Sequence, residues 1–472
     1  MPPLPPLRLI PAIALCWALT GCAKPQEQTL RIEVIGAPES LFLAPPSPAA
    51  LMLRAATTEG LITLDAEGRV IPALAERWII ADDGQSYIFR LRDDPQCSAE
   101  SVSAALSKAI ASQHGTPLGL DLAVLRDIRA MAARVVEIRL YHPMPDFLQV
   151  LAQPELGLLG KAGPLSLRRE GDLGWLTPIR PDQRGQPMPD GWASSIRPLT
   201  LTARPVATAA ADFAAGRTDM VLGGRFTDFP GTLRGLSPQF DPVSGLFGLM
   251  VEREDGLLAT PESREAIAMT IDRAALAIPL HLPDWAPTTR LIPAAPESLP
   301  NNAERWADLD MAARRQLARE RLAVLAPNHP ATLRLALPTG PGADVLAQRL
   351  AMDFGQIGLR LERVPITATA DLRLLDSVAW YPAPSWAFHQ FACAVRHPCS
   401  PEADALATSA EQADPVHAPA LYAAAEVALT RANLFIPLGP PLRWSLTHPN
   451  LTGFALNRWA HHPLPPLSAH TH

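Results

Sequence analysis

Three clusters in this chain bring together residue types that could do chemistry at a binding site. In the first, the apolar run Met220-Val-Leu222 empties into Gly223, Gly224 and Arg225. Open α/β sheets hold ligands at the carboxyl ends of their strands, which makes these three residues candidates for a cleft. Arg225 could pair with a ligand carboxylate or phosphate, or lie in a solvated loop. The second cluster is Trp380, Tyr381 and Trp386. These could form an aromatic wall suited to an apolar, planar or cationic solute, or pack in the core. In the third, Cys393 and Cys399 stand six apart, with His389 and His397 beside them. A small disulfide loop, a metal site and free thiols are all open readings there.

Enzymatic patterns are sparse. No Gly-x-Ser-x-Gly, His-Glu-x-x-His, phosphate-cradling loop or clustered zinc spacing occurs. Carboxylate pairs such as Asp82-Asp83 sit at turns, where they cap backbone. The chemistry expected is binding without turnover, and neither a cofactor nor a resident metal is expected. With 472 residues, 48% of them hydrophobic, the chain can bury a large core and should form more than one domain. A formal net charge of −6 gives no reason to invoke nucleic acid. The 51 prolines argue for many turns rather than long uninterrupted helices.

The N-terminus carries an address. Arg8 precedes an apolar run that ends in Leu19-Thr-Gly-Cys22 and is too short for an ordinary membrane span. That ending looks like a bacterial lipobox, which implies cleavage before Cys22 and lipids on its sulfur; an ordinary signal peptide with a chance cysteine is the competing reading. Cys16 would leave with the leader, and Cys97 reads as a buried thiol. The tail histidines His461, His462, His470 and His472 read as a frayed end.

Elements that would position these clusters follow from periodicity. Arg31–Ile35, Val135–Leu140 and Leu333–Leu337 alternate as strands, and Ser86–Arg92 does the same after the Asp82-Asp-Gly84 turn. Ser98 is a helix N-cap candidate, with Val102, Ala105, Leu106 and Ile110 on one face. Pro72–Trp78 reads as a short helical turn opened by proline. Ala210–Gly216, Ala312–Leu325 and Ala343–Phe354 read as helices, and within Pro261–Arg273 the residues Ile267, Thr270 and Ile271 fall on one face; these alternate with strands as in an α/β lobe.

Several of these segments also carry a resemblance. Glu59-Gly-Leu61, Asp65, Gly68, Pro72-Ala-Leu-Ala-Glu-Arg-Trp78, Asp82-Asp-Gly84 and Tyr87 to Arg92 are similar, in order and spacing, to the family-5 extracellular solute-binding proteins, the peptide and nickel receptors of ABC importers. His142-Pro-Met-Pro-Asp-Phe-Leu148, Ala210–Leu222, Pro261–Arg273, Ile357–Val364, Ala423–Pro440 and Asn450–Asn457 extend the resemblance. The family's Phe-His-Asp-Gly hairpin is replaced here by Asp94-Pro-Gln-Cys97.

The resemblance implies an α/β, two-lobed periplasmic-binding-protein fold, class II and cluster C-like, with a small third domain inserted. It implies a signal peptide over 1–21, a tether over 22–29 and a small inserted domain over 51–160. Lobe I would comprise 30–50, 161–255 and 436–472, and lobe II 256–435. It further implies a lipid-anchored monomer on the periplasmic side of a bacterial membrane, handing a peptide-like or other small organic solute to an ABC permease and ATPase. Asp371–Trp386 stands where the family builds its main cavity wall. The acidic residue that pairs with a peptide amino terminus there is replaced by Trp380 or Ala383, so the usual hold on a zwitterionic peptide is not expected. A nickel-type chelate receptor using His389 or His397 is one alternative. A lipoprotein with a signalling or chaperone-like role is another.

Overall fold

The computed structural model describes residues 29–42, 47–94, 97–292, 304–325, 331–449 and 451–469. The leader, Cys22, nearly all of the tether, and His470 and His472 lie outside them.

A seven-stranded sheet builds the first lobe. Its spatial order is Leu165–Glu170, Leu173–Pro178, Leu199–Arg204, Leu30–Ile35, Met220–Arg225, Arg443–Thr447 and Gln239–Phe240. The centre is parallel, with Leu30–Ile35 flanked by Leu199–Arg204 and Met220–Arg225. Leu30, Ile32 and Val34 alternate into the core, while Arg31 faces outward and pairs with Asp219 at 2.7 Å. Helix Val206–Ala214 connects two of the parallel strands, and Gly216 follows it at φ +66°, the left-handed conformation common at helix ends.

The second lobe is a five-stranded sheet in the order Arg360–Pro365, Thr332–Leu337, Leu372–Val378, Gly245–Val251 and Phe435–Gly439. Ile267, Leu322, Leu346 and Phe354, from the helices Pro261–Thr270, Met311–Leu325 and Pro341–Gly355, share its core. The chain passes between the two sheets at residues 241–244 and 440–442. This corrects the expected lobe limits at 255 and 436, because Gly245–Val251 and Phe435–Gly439 pair with each other inside the second sheet. A buried apolar run such as Leu246–Val251 does not reveal which of two sheets will take it.

Between the first two strands of lobe I stands a small domain. Its four-stranded sheet runs Ala75–Ile80, Ser86–Leu91, Val135–Leu140, Leu125–Ala132. Helix Ala99–Ala111 packs on it, capped by the Ser98 hydroxyl, which accepts from the Ser101 amide at 3.1 Å. Pro72–Trp78 is not helical. Ala75–Ile80 pairs along Ser86–Leu91, and ladder hydrogen bonds with burial of Ala75 override the helical leaning of Ala-Leu-Ala-Glu.

The C-terminal segment fastens this domain to the lobes. Asn457, 4% exposed, donates from Nδ2 to the carbonyls of Ala66 (3.1 Å) and His461 (2.8 Å). Its Oδ1 accepts from the amides of Trp459 and His461, and its own amide donates to Asp241 at the first lobe crossing. Replacing it leaves several buried backbone groups unpaired. Asn457→Ala should therefore lower unfolding stability by about 1–3 kcal/mol in urea titrations; a wild-type midpoint would show that these bonds are dispensable.

Candidate functional site

The parallel strands of both lobes point their carboxyl ends at one place. Val34 and Gly223–Arg225 end two strands of lobe I, and Val378 ends a strand of lobe II. Together with Trp380, Glu155 and His461 they wall an interlobe cavity of about 220 Å³. A second chamber of about 230 Å³ shares Ala55, Leu64, Gln153, Pro154, His461 and Pro463 with it.

Gly223 adopts φ +78°, and a Cβ there would stand 3.0 Å from the Val34 side chain. Glycine therefore allows the strand to bulge between Val221 and Gly224 and to turn Arg225 into the cavity. The Arg225 guanidinium has no hydrogen bond or ion pair among the described residues. Burial pulls its pKa down, and the neighbouring Arg443 adds to that shift. Arg443 also lines the cavity, but it is paired with Asp376 at 2.7 Å across the lobe boundary. His461 is held neutral, pulled down to about 4 by burial and by His462. His462 is hydrogen-bonded to Asp241 at 3.0 Å. These two histidines are thus built into the site and do not belong to a frayed tail.

Trp380 is fixed from the small domain. Its Nε1 donates to Asp121 Oδ2 at 2.8 Å, and its ring stands edge-on to Trp386 with centroids 5.6 Å apart. Asp121, on helix Pro117–Asp121, also accepts from the Tyr381 hydroxyl and contacts His389 Nδ1 at 2.6 Å. His389 Nε2 contacts Glu411 at 2.8 Å. Burial disfavours the imidazolium, but hydrogen bonds to Asp121 and Glu411 outweigh it and raise His389 to about 9.

Of the residues singled out in the sequence, Gly223, Arg225 and Trp380 meet at the cavity. Gly224 does not line it: a Cβ there would stand 2.3 Å from the Trp444 ring, so its backbone is pressed against that indole. Tyr381 and Trp386, 0% and 2% exposed, are core residues and not an aromatic wall. Asp121 draws the Tyr381 hydroxyl away from the cavity, and Trp386 sits in the apolar cluster shared by the small domain and lobe II. Cys393 and Cys399 are bonded, with Cα atoms 5.2 Å apart. His389 has both ring nitrogens engaged and is protonated near neutral pH, so it has no lone pair for a metal. His397 stands 3.8 Å from the Cys399 sulfur on the surface. Glu155, His461, Arg443 and Asp121 were not foreseen. Three larger hollows, of about 750, 580 and 450 Å³, lie elsewhere. Their charged side chains include Arg363 with Asp344, and His389 with Asp121 and Glu411, which pair with one another.

The His389 network makes stability depend on pH. A histidine raised from 6.5 to about 9 on folding contributes fully below pH 6.5 and loses that contribution as pH climbs to about 9. Wild-type unfolding free energy should fall over that window by more than that of His389→Gln; parallel pH profiles for the two proteins would refute the assignment.

No protein-family model matches the chain. Over 121 residues it is 33% identical to the probable deoxycholate-binding periplasmic protein YgiS of Escherichia coli (strain K12), an alignment covering 21% of this chain and 23% of that protein. Over 153 residues it is 29% identical to the nickel-binding periplasmic protein of the same strain, covering 31% and 29%. The aligned stretches thus span less than a third of either relative. Among solved structures, Haemophilus influenzae OppA in complex with the peptide RPPGFSPFR superposes with a TM-score of 0.77 at 17% identity, covering 93% of this chain and 98% of that one. The Escherichia coli murein tripeptide binding protein MppA gives 0.76 at 18% identity, covering 94% and 97%. An unliganded open form of MppA gives only 0.58, at 18% identity and covering 93% and 96%.

Proposed function

We propose, for a chain that belongs by its sequence relatives and its fold with the family-5 type of periplasmic binding proteins, that it captures a small organic solute between its lobes and hands it unchanged to an ABC permease. The observation that carries this reading is the interlobe cavity at the strands' carboxyl ends, lined by the Arg225 guanidinium, which has no hydrogen bond or ion pair among the described residues. An unpaired buried charge is costly, and a bound solute that supplies the opposite charge removes the cost. Capture follows the hinge closure common to two-lobed receptors, with Gly223 and Arg225 on one side and Trp380 on the other.

The partners in this reading are the permease, its ATPase and the membrane, the last through a lipid on Cys22. The protein acts as a monomer on the periplasmic side and performs no turnover. The relatives bear names that refer to deoxycholate and to nickel. An organic solute suits the cavity better than a metal chelate held by His389, since that imidazole already joins Asp121 and Glu411.

Ala55 lines both chambers, so a tryptophan there would fill them. Native mass spectrometry of wild-type protein purified without denaturation should show a small-molecule adduct that Ala55→Trp lacks, with the two melting temperatures within a few degrees. An adduct carried equally by both proteins, or by neither, would refute capture in this cavity.

A further inference from the structure

Two charged side chains lining the interlobe cavity have no hydrogen bond or ion pair to another side chain among the described residues, although Asp376 and Asp228 act on one of them, Arg225, at longer range. Arg225 enters from the bulged end of the strand Met220–Arg225. Glu155 lines the same cavity from the short turn Pro154–Leu156, where the small domain rejoins the lobes. No other residue among those described gives the Glu155 carboxylate a hydrogen bond or an ion pair. Its nearest cation, Arg54, directs Nη2 to the carbonyls of Glu155 and Gly157 at 3.1 and 2.9 Å and acts on the carboxylate only at longer range. Burial holds that carboxyl above its usual range, as expected for a buried acid short of a counter-charge. The other ionisable groups here are accounted for: Arg443 has Asp376, and His461 is neutral.

We propose that the captured solute is a compact zwitterion, with its anionic group on Arg225 and its cationic group on Glu155. The inference rests on the capture reading and adds the chemical class of the solute and a binding residue supplied by the small domain. Glu155 takes the role for which no acidic residue is present at Trp380 or Ala383. A solute with both charges satisfies both side chains at once, whereas one with a single charge leaves the other buried and unpaired. Each of the two chambers is smaller than the roughly 300–1,000 Å³ of drug-sized pockets, which suits a compact molecule. Leu51, Met52 and Trp380 add apolar surface to the same cavity.

The test uses protein stripped of bound solute by unfolding and refolding, and defined probes. L-leucine, L-phenylalanine and γ-aminobutyrate are zwitterions; N-acetyl-L-phenylalanine and deoxycholate carry only the anion; 2-phenylethylamine carries only the cation. At least one zwitterion should raise the melting temperature and bind in calorimetry. Its single-charge counterparts should bind about thirtyfold more weakly or worse. Glu155→Gln and Arg225→Met should each weaken zwitterion binding by a similar factor, with Arg225→Lys partly restoring it. Should either variant fail to refold, the other still decides. The inference is overturned if no zwitterion binds, or if Glu155→Gln binds as wild type does. Binding of an anion-only probe unaffected by Glu155→Gln would leave capture standing and remove the zwitterion. A wild-type protein that binds no probe and carries no co-purifying adduct would remove both.

Discussion

One carboxylate fixes the far wall of the cavity. Asp121 is 2% exposed, and its three partners, Trp380, Tyr381 and His389, all come from the segment that follows the lobe II strand Leu372–Val378. A buried carboxylate is tolerable only when its oxygens are this fully satisfied, and the donors need it equally. The consequence reaches beyond the hydrogen bonds. The small domain and lobe II share one apolar cluster running from Phe89 and Phe147 to Tyr381, Trp386 and Phe388. Opening of the cleft therefore either carries these two parts away from lobe I together or exposes the Asp121 donors to water.

Lobe I supplies the opposite wall. Its central parallel strands end at Ile35 and Arg225, with the bulge at Gly223 turning the last residue inward. The two lobe crossings are tied by Arg443 to Asp376 and by Asp241 to Asn457 and His462. These pairs hold the charges at the boundary and leave Arg225 and Glu155 without a side-chain hydrogen bond or ion pair to another of the described residues. The proposed binding site rests on that imbalance, because a mere packing defect between lobes would be apolar or filled by paired groups.

Much of the fold was legible in the sequence because it rests on local pattern. The alternation in Leu30–Ile35, the caps at Ser98 and Gly216, and the helices of lobe II need only neighbouring residues to be recognised. Pro72–Trp78 was misread because strand pairing with Ser86–Leu91, a nonlocal term, outweighs its helical composition. The site was half legible. Gly223 and Arg225 follow from the strand-end rule, but Tyr381 and Trp386 look the same in sequence whether they face a ligand or a core. What decides for Tyr381 is Asp121, 260 positions away along the chain. Glu155 carries no sequence signal at all; its turn is held beside the cavity by Arg54, 101 positions earlier in the chain.

We propose that a solute's charges complete Arg225 and Glu155, which have no hydrogen bond or ion pair to another side chain among the described residues. A crystal structure of protein purified without denaturation tests it most directly. The account predicts density for one small molecule spanning the cavity from the Arg225 guanidinium to the Glu155 carboxylate, with both in hydrogen-bond contact. Closed lobes around water alone, with Arg225 swung onto a protein carboxylate, would contradict it.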